Sequence, residues 1–393
     1  MDVSDFDYEL PERLIAQRPA KDRTGSRLLV LERATGHVAH RMFSDLPEYL
    51  GKDDLLVVND SRVVPARVIG KKETGGRAEL LFLPHGVQGK QEGEAGEGTA
   101  NDETERILSG GTGDEATDGV QEKTKPEPNQ YFVFRCLMTG KNLRPGVRIL
   151  LPGGVEAVIT GKDDEGFSIR TEIPGDLAGG LEAYLSRWGS APLPPYIRRG
   201  DAAIDGWSDA DDQNRYQTVY ADPPGSVAAP TAGLHFDEVM LARLDGMGIG
   251  RVTVTLHVGP GTFLPVRTER VEDHRMHAEV FDISEAAADK INAALDAGRR
   301  IVAVGTTTVR ALEGVATPDG RVPAGSGGTR LFITPGFGFR ITGAMVTNFH
   351  LPRSTLLMLT AAFAGRDKIL EAYREAVKEE YRFYSYGDAM LIV

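Results

Sequence analysis

Apolar positions in the second half of this chain switch repeatedly between two periods. Asp237 to Met247 sets Val239, Met240, Leu244 and Met247 at helical spacing. Arg251 to Val258 then puts Val252, Val254, Leu256 and Val258 on one face of a strand, with Thr253, Thr255 and His257 on the other. Ser284 is a good N-cap for a helix carrying Ala288, Ile291 and Leu295, and Gly298 suits its C′ position. Ile301–Val304 reads as the next strand and Val309–Val315 as a helix. Ser354 caps Thr355–Phe363, and Asp367 opens a last amphipathic helix with Leu370, Tyr373 and Val377. Such alternation predicts a layered α/β domain.

The first 65 residues run to Leu55-Leu56-Val57-Val58, a short continuous apolar stretch of the kind found in strands buried on both faces. They are expected to belong to the same domain. Between Pro65 and about Pro195 short β-rich pieces follow one another: 67–70, 78–83, 131–137, 147–151, 155–159 and 167–170. Gly, Pro and Asp/Asn turns separate them at even spacing, which predicts a small antiparallel β-barrel. The expected organisation is an α/β domain of residues 1–65 and 198–393, interrupted by a barrel domain over 66–197. No internal repeat is visible.

A length of 393 residues fits two domains, and 41% hydrophobic with 26% charged residues is ordinary for a soluble globular protein. No apolar run reaches the roughly 18 residues that a membrane span needs. The acidic start Met1-Asp2-Val3-Ser4-Asp5 does not read as a secretory signal, and Cys136 is the single cysteine, which excludes intramolecular disulfides and Cys-cluster metal sites. A cytoplasmic protein is expected. The net charge of −12 argues against a polyanionic partner until it is located. Residues 87–130 hold eleven Asp/Glu and four Lys/Arg, a net of −7, so the rest of the chain carries only −5. That stretch is poor in core-forming residues and is expected to be a disordered acidic insertion within the barrel. Basic residues cluster elsewhere, at Arg135, Lys141, Arg144 and Arg148 and at Arg187, Arg198 and Arg199.

Candidate chemistry sits at the ends of the apolar elements. Asn59-Asp60-Ser61-Arg62 follows the buried strand directly, where open α/β sheets bind ligands. Five of the eight histidines lie in the polar, glycine-rich loops between Gln217 and Arg353: His235, His257, His274, His277 and His350. Gly259 and Gly261 flank a proline, giving a rigid turn without bulk that suits either a hairpin or a flat ligand such as a nucleobase, with Phe263 to stack on it. Gly305-Thr306-Thr307-Thr308 lies between a strand and a helix, where N-terminal amides favour an anion by roughly 0.3–1 kcal/mol when exposed. Arg310 and Glu313, one turn apart, are either a surface ion pair or a carboxylate clamp and general base; the spacing leaves both open. His274, His277 and Glu279 lack a further clear ligand, so no metal is expected. Neither a Gly-x-Gly-x-x-Gly fingerprint after a strand nor a Walker P-loop is present.

With these residues in view, the chain resembles the S-adenosylmethionine:tRNA ribosyltransferase-isomerase family of queuosine biosynthesis. The resemblance is carried by Phe6-Asp7-Tyr8-Glu9-Leu10-Pro11, Val57–Arg62, Tyr216–Tyr220, Pro230-Thr231-Ala232-Gly233-Leu234-His235-Phe236, His257–Phe263, His277-Ala278-Glu279, Gly305–Arg310 and Asn348–Pro352. It covers nearly the whole chain apart from 87–130. It implies an α/β domain carrying an inserted β-barrel. It further implies transfer and isomerisation of the ribosyl part of S-adenosylmethionine onto 7-aminomethyl-7-deazaguanine at the tRNA wobble position. The products are epoxyqueuosine-tRNA, adenine and methionine. S-adenosylmethionine is consumed as a substrate, and no cofactor, metal or membrane is implied; a monomer is expected.

That reaction needs a base for a C5′ proton acidified by the sulfonium, for which His235, His257 and Glu279 are candidates. Adenine must leave protonated, with Asp60 or His277 as the acid. Arg310 or the Thr306–Thr308 amides suit the methionine carboxylate. Asn59, Arg62, Thr231, Gly233, Gly259, Gly261, Thr262, Phe263, Asn348, His350 and Arg353 complete the expected substrate contacts. A methyltransferase would require the missing glycine-rich loop, and a non-catalytic RNA-binding barrel leaves the polar loops of the other domain unexplained. The Arg/Lys clusters predict tRNA binding that weakens steeply with added salt, measured as the slope of log Kd against log salt concentration; a flat line would contradict it.

Overall fold

The computed structural model describes residues 1–83, 88–89, 131–164, 166–172, 180–199, 207–263 and 266–393. Two compact units emerge, one built mainly on Met1–Val68 with Trp188–Val393, the other on Ile69–Phe82 with Gly86–Arg187.

The first unit is organised by a nine-stranded sheet. Its strands are Arg27–Leu31 (β1), Val38–Met42 (β2), Asp54–Asn59 (β3), Gly250–Leu256 (β4), Glu279–Ile283 (β5), Arg300–Val304 (β6), Gly325–Thr329 (β7), Ala344–Asn348 (β8) and Ala389–Ile392 (β9). They lie in the order β7-β5-β4-β3-β6-β8-β9-β1-β2. Strands β4, β3, β6 and β8 are parallel neighbours, whereas β9 runs antiparallel to β8. Every residue of β3 is buried, as its unbroken apolar run requires of a strand covered on both faces.

The period of two then divides the core. Leu29, Leu31, Ala303, Met345 and Ile392 pack with helices α4 (Thr355–Ala364) and α5 (Arg366–Lys378). Their neighbours Leu28, Val30, Val302, Val346 and Leu391 face Phe43, Phe236 and α1 (Glu238–Gly246) on the other side. Leu55, Val57 and Ile301 meet α2 (Glu285–Asp296) and α3 (Thr306–Val315).

Local signals act where the side chains can reach. Ser284 and Ser354 accept from the amides of Ala287 and Leu357 at 3.2 Å, and Gly298 takes φ 68° just beyond α2. Two expectations shift. Val239, placed with the apolar face of its helix, is 78% exposed; Met240, Leu241 and Leu244 form the buried stripe instead. Helix α3 begins at Thr306, three residues before Val309, because Gly305 at φ 94° turns the chain straight out of β6 into the helix.

The second unit is a closed antiparallel barrel. Strands 67–72, 77–82, 131–139, 166–172, 156–163 and 148–150 follow one another around it, the last returning to the first. Leu80, Phe82, Phe134, Cys136, Ile149, Ile159 and Ile169 are buried. Gly70 matters there, because a Cβ would lie 2.7 Å from Ile149 Cγ2 and 2.8 Å from Leu151 Cδ2. Apart from Gln88–Gly89, which pair with Phe132 and Val133, the 87–130 segment lies outside the described residues.

Leu56→Ala in β3 removes a side chain that is 1% exposed, and is expected to cost about 2–5 kcal/mol in urea unfolding.

Candidate active site

The carboxyl ends of the four parallel strands β3, β4, β6 and β8 deliver Asn59-Asp60-Ser61, His257-Val258-Gly259, Gly305–Thr308 and Asn348-Phe349-His350 to one edge of the sheet. A cleft opens there. Thr231, Thr306, Thr307, Asn348 and His350 line it with Val258 and Gly305, and Tyr196, Phe349, Leu351 and Tyr384 add apolar and aromatic walls. Its mixed polar and apolar lining suits a small organic ligand.

Asn59 ties the edge together. Its Nδ2 donates to the Leu256 carbonyl at 2.9 Å and to Thr307 Oγ1 at 3.3 Å, while its Oδ1 accepts from the amides of Leu256 and Ser61 at 3.0 and 3.1 Å. Ser61 Oγ lies 2.7 Å from His257 Nδ1 and 2.6 Å from Ser226 Oγ, and Ser226 Oγ accepts from the Val258 amide at 2.9 Å. The half-buried His257 ring is therefore oriented at Nδ1 by Ser61. In α3, Val309 N–H makes the first backward bond, to the Gly305 carbonyl at 3.2 Å. The amides of Thr306, Thr307 and Thr308 occupy the first turn, where helix geometry supplies no acceptor. Thr308 turns its hydroxyl back to the Val304 carbonyl at 2.6 Å.

Several expected site residues have other work. Arg310 and Glu279 form a buried ion pair, each side chain 4% exposed. Glu279 also accepts from the Gly259 amide at 3.2 Å, and Arg310 Nε donates to the Leu331 carbonyl at 3.1 Å. Glu313 is no partner of Arg310: it accepts from the amides of Arg340, Ile341 and Thr342 at 2.9, 3.1 and 2.8 Å. Both readings of that spacing give way to a carboxylate that organises a loop backbone.

His235 is buried and stacked 5.1 Å from Phe43, with Nδ1 2.7 Å from Ser26 Oγ and Nε2 3.1 Å from Asn348 Nδ2. Burial pushes its imidazole down to about 4. His350 is buried as well, with Nε2 2.8 Å from Thr347 Oγ1, and burial pushes it down to about 3. Asp60 accepts from Thr255 Oγ1 at 2.7 Å, and burial raises its carboxyl above the usual range.

Gly233 is a close approach, since a Cβ there would fall 2.1 Å from the Tyr220 hydroxyl; Gly261 packs likewise on the His277 ring, 2.8 Å from Cδ2. His277 itself is exposed, as are Arg62 and Arg353, the last paired with Asp7. Thr262 and Phe263 stand in a short 3-10 turn, Pro260–Phe263, with side chains outside the described residues. His274 packs its ring edge-on against Phe332 at 5.3 Å. Among the described residues, no group of three or more His, Cys, Asp or Glu is placed to hold a metal ion. No described helix is long and apolar enough to cross a membrane.

Residues 3–392 match the family model described as queuosine biosynthesis protein. The chain belongs to this family. It is 48% identical to the S-adenosylmethionine:tRNA ribosyltransferase-isomerase of an Anaeromyxobacter species, over 100% of this chain and 99% of that one. Identity to the enzyme of the same name from Geobacter sulfurreducens is 42%, over 99% of each. Among solved structures, the S-adenosylmethionine tRNA ribosyltransferase of Thermotoga maritima is similar, at 32% identity and TM-score 0.50, with 99% of this chain and 100% of that one covered. Family membership accounts for the ordered motifs, and the fold places most of them at one edge of one sheet.

Two cleft residues gave little signal in sequence. Tyr196 and Tyr384, ring centroids 4.6 Å apart, come from segments with no motif of their own. Tyr384 holds φ 72°, an unusual backbone state for a tyrosine and visible only in three dimensions.

His235 and His350 titrate lower in the fold than the ordinary 6.5, so the unfolded chain binds protons first. Stability contributed by their neutral forms is complete above about pH 6.5 and is lost as pH falls towards 4 and 3. Thermal melts should therefore show Tm dropping between pH 7 and 4, with a shallower slope in His350→Asn; equal slopes would contradict the assignment.

Proposed function

We propose that this cleft binds S-adenosylmethionine and that the ribosyltransferase-isomerase works there on the wobble position of a tRNA. In this reading the ribosyl part is transferred and isomerised onto the aminomethyl group of 7-aminomethyl-7-deazaguanine. Epoxyqueuosine-tRNA forms, and adenine and methionine leave. The observation that carries the reading is the convergence of three strand-end segments, at Val258, Gly305–Thr307 and Thr347–His350, on one cleft, with the first turn of α3 inside it. S-adenosylmethionine is spent as a substrate, and the reading calls for no further cofactor. We expect a monomer acting in the cytoplasm.

The surroundings of each side chain support a division of roles. Thr306–Thr308 amides at the start of α3 suit the methionine carboxylate better than Arg310, whose charge is already matched by Glu279. Glu279 is correspondingly a poor base. Its carboxylate is already taken up by the Arg310 guanidinium and the Gly259 amide. His235 is a poor base too, because it is buried and stacked on Phe43, and burial disfavours the imidazolium. That leaves His257, oriented through Nδ1 by Ser61, to take the C5′ proton beside the sulfonium. Asp60, whose carboxyl burial makes harder to ionise, is favoured over exposed His277 as the acid for departing adenine.

With S-adenosylmethionine and the tRNA substrate, free adenine is the expected co-product; S-adenosylhomocysteine in its place would mean methyl transfer. His257→Ala should lower kcat by about 10²–10⁴-fold, the usual contribution of a positioned base. Glu279→Gln should lower Tm along with activity, because it strips the partner from a buried arginine. Near-wild-type turnover in His257→Ala would remove the base assignment.

A further inference from the structure

Asn348 lies at the end of β8, lines the cleft and is 2% exposed. Its amide has one valence left over. Nδ2 donates to the Tyr384 carbonyl at 3.1 Å, and a carbonyl can only accept, so the amide cannot be turned round. The second Nδ2 proton points to His235 Nε2 at 3.1 Å, so that nitrogen must be an acceptor. His235 accordingly carries its proton on Nδ1 and donates it to Ser26 Oγ at 2.7 Å. Oδ1, in contrast, is buried and has no hydrogen-bond partner among the described residues. A buried carbonyl oxygen without a donor is costly, and is worth retaining where a ligand supplies the donor.

We propose that Asn348 Oδ1 is the acceptor for the α-ammonium of the methionyl part of S-adenosylmethionine, and that His235 is a positioning residue that holds this oxygen towards the ligand. The inference rests on S-adenosylmethionine occupying the cleft. Two features select the ammonium. Asn348 offers only an acceptor, because both its N–H groups are used within the protein, so it cannot pair with the donor-and-acceptor edge of adenine. An ammonium has donors only and needs acceptors. The first turn of α3, with Thr306 and Thr307, lines the same cleft and complements the adjacent carboxylate. Oxygen and amides together read both charges of an amino-acid group. Protonating His235 would put a second donor against Nδ2, so the arrangement depends on a neutral ring.

Binding to the full chain is measured for S-adenosylmethionine, its analogue lacking the α-amino group, its analogue with purine in place of adenine, and 5′-methylthioadenosine. Wild type should prefer S-adenosylmethionine to the deaminated analogue by about 10- to 100-fold, the scale of one hydrogen bond to a charged group. Asn348→Ala should erase that preference and leave 5′-methylthioadenosine binding unchanged. His235→Gln, which can present a donor to the amide, should reduce the same preference and raise KM for S-adenosylmethionine more than it lowers kcat. If Asn348→Ala fails to fold, His235→Gln decides. Equal weakening of S-adenosylmethionine and the deaminated analogue would overturn the proposal, as would a preference that follows the adenine amine. Adenine release by wild type separates the two levels: if it occurs without the predicted discrimination, only the role of Asn348 and His235 falls, whereas its absence removes the reading of the cleft itself.

Discussion

Asn59 bonds simultaneously to both sides of a seam. One side-chain amide, buried at the end of a strand with no exposed residue, satisfies the carbonyl and the amide of Leu256 on the adjacent strand and reaches Thr307 on the helix beyond. Buried amides demand partners, and these can be supplied only if β3, β4 and the start of α3 end at one level. The arrangement of the rest of the edge follows. Ser61 is set against His257, Ser226 closes the turn at Val258, and the first turn of α3 lines the cleft with Asn348.

Charge is managed around that edge by sequestering it. Arg310 and Glu279 neutralise one another out of water, and Glu313 is consumed by three backbone amides. The two buried histidines are held uncharged by desolvation. The cleft lining is then mostly apolar walls, neutral hydroxyls and oriented backbone. Such a lining is compatible with a sulfonium substrate, since buried fixed cations nearby would oppose the charge the ligand brings.

Much of this could be read along the chain, and the reason is local. Periods of 3.6 and 2 identify α1 to α5 and the central strands because each element must bury one stripe or two faces wherever it packs. Ser284, Ser354 and Gly298 act on amides or torsions within a few residues of themselves. The polar runs at Asn59, His257, Gly305 and Asn348 stand out because parallel strands present their carboxyl ends on one side. The antiparallel barrel is legible for the same reason, as strands at regular spacing with turn residues between them.

Sequence alone therefore determined the types of the helices and strands it marks by periodicity, and the α/β domain interrupted by a barrel, all of which depend on neighbours along the chain. Tertiary structure decided what each polar side chain does, because its partner is far away in sequence. Arg310 finds Glu279 rather than Glu313, His235 is fixed by Ser26 and Asn348, and Tyr384 joins Tyr196 in a wall that neither segment announces. Hydrogen bonds and desolvation act over a few ångströms of space, and periodicity along the chain carries no record of which distant atoms will fall within that range.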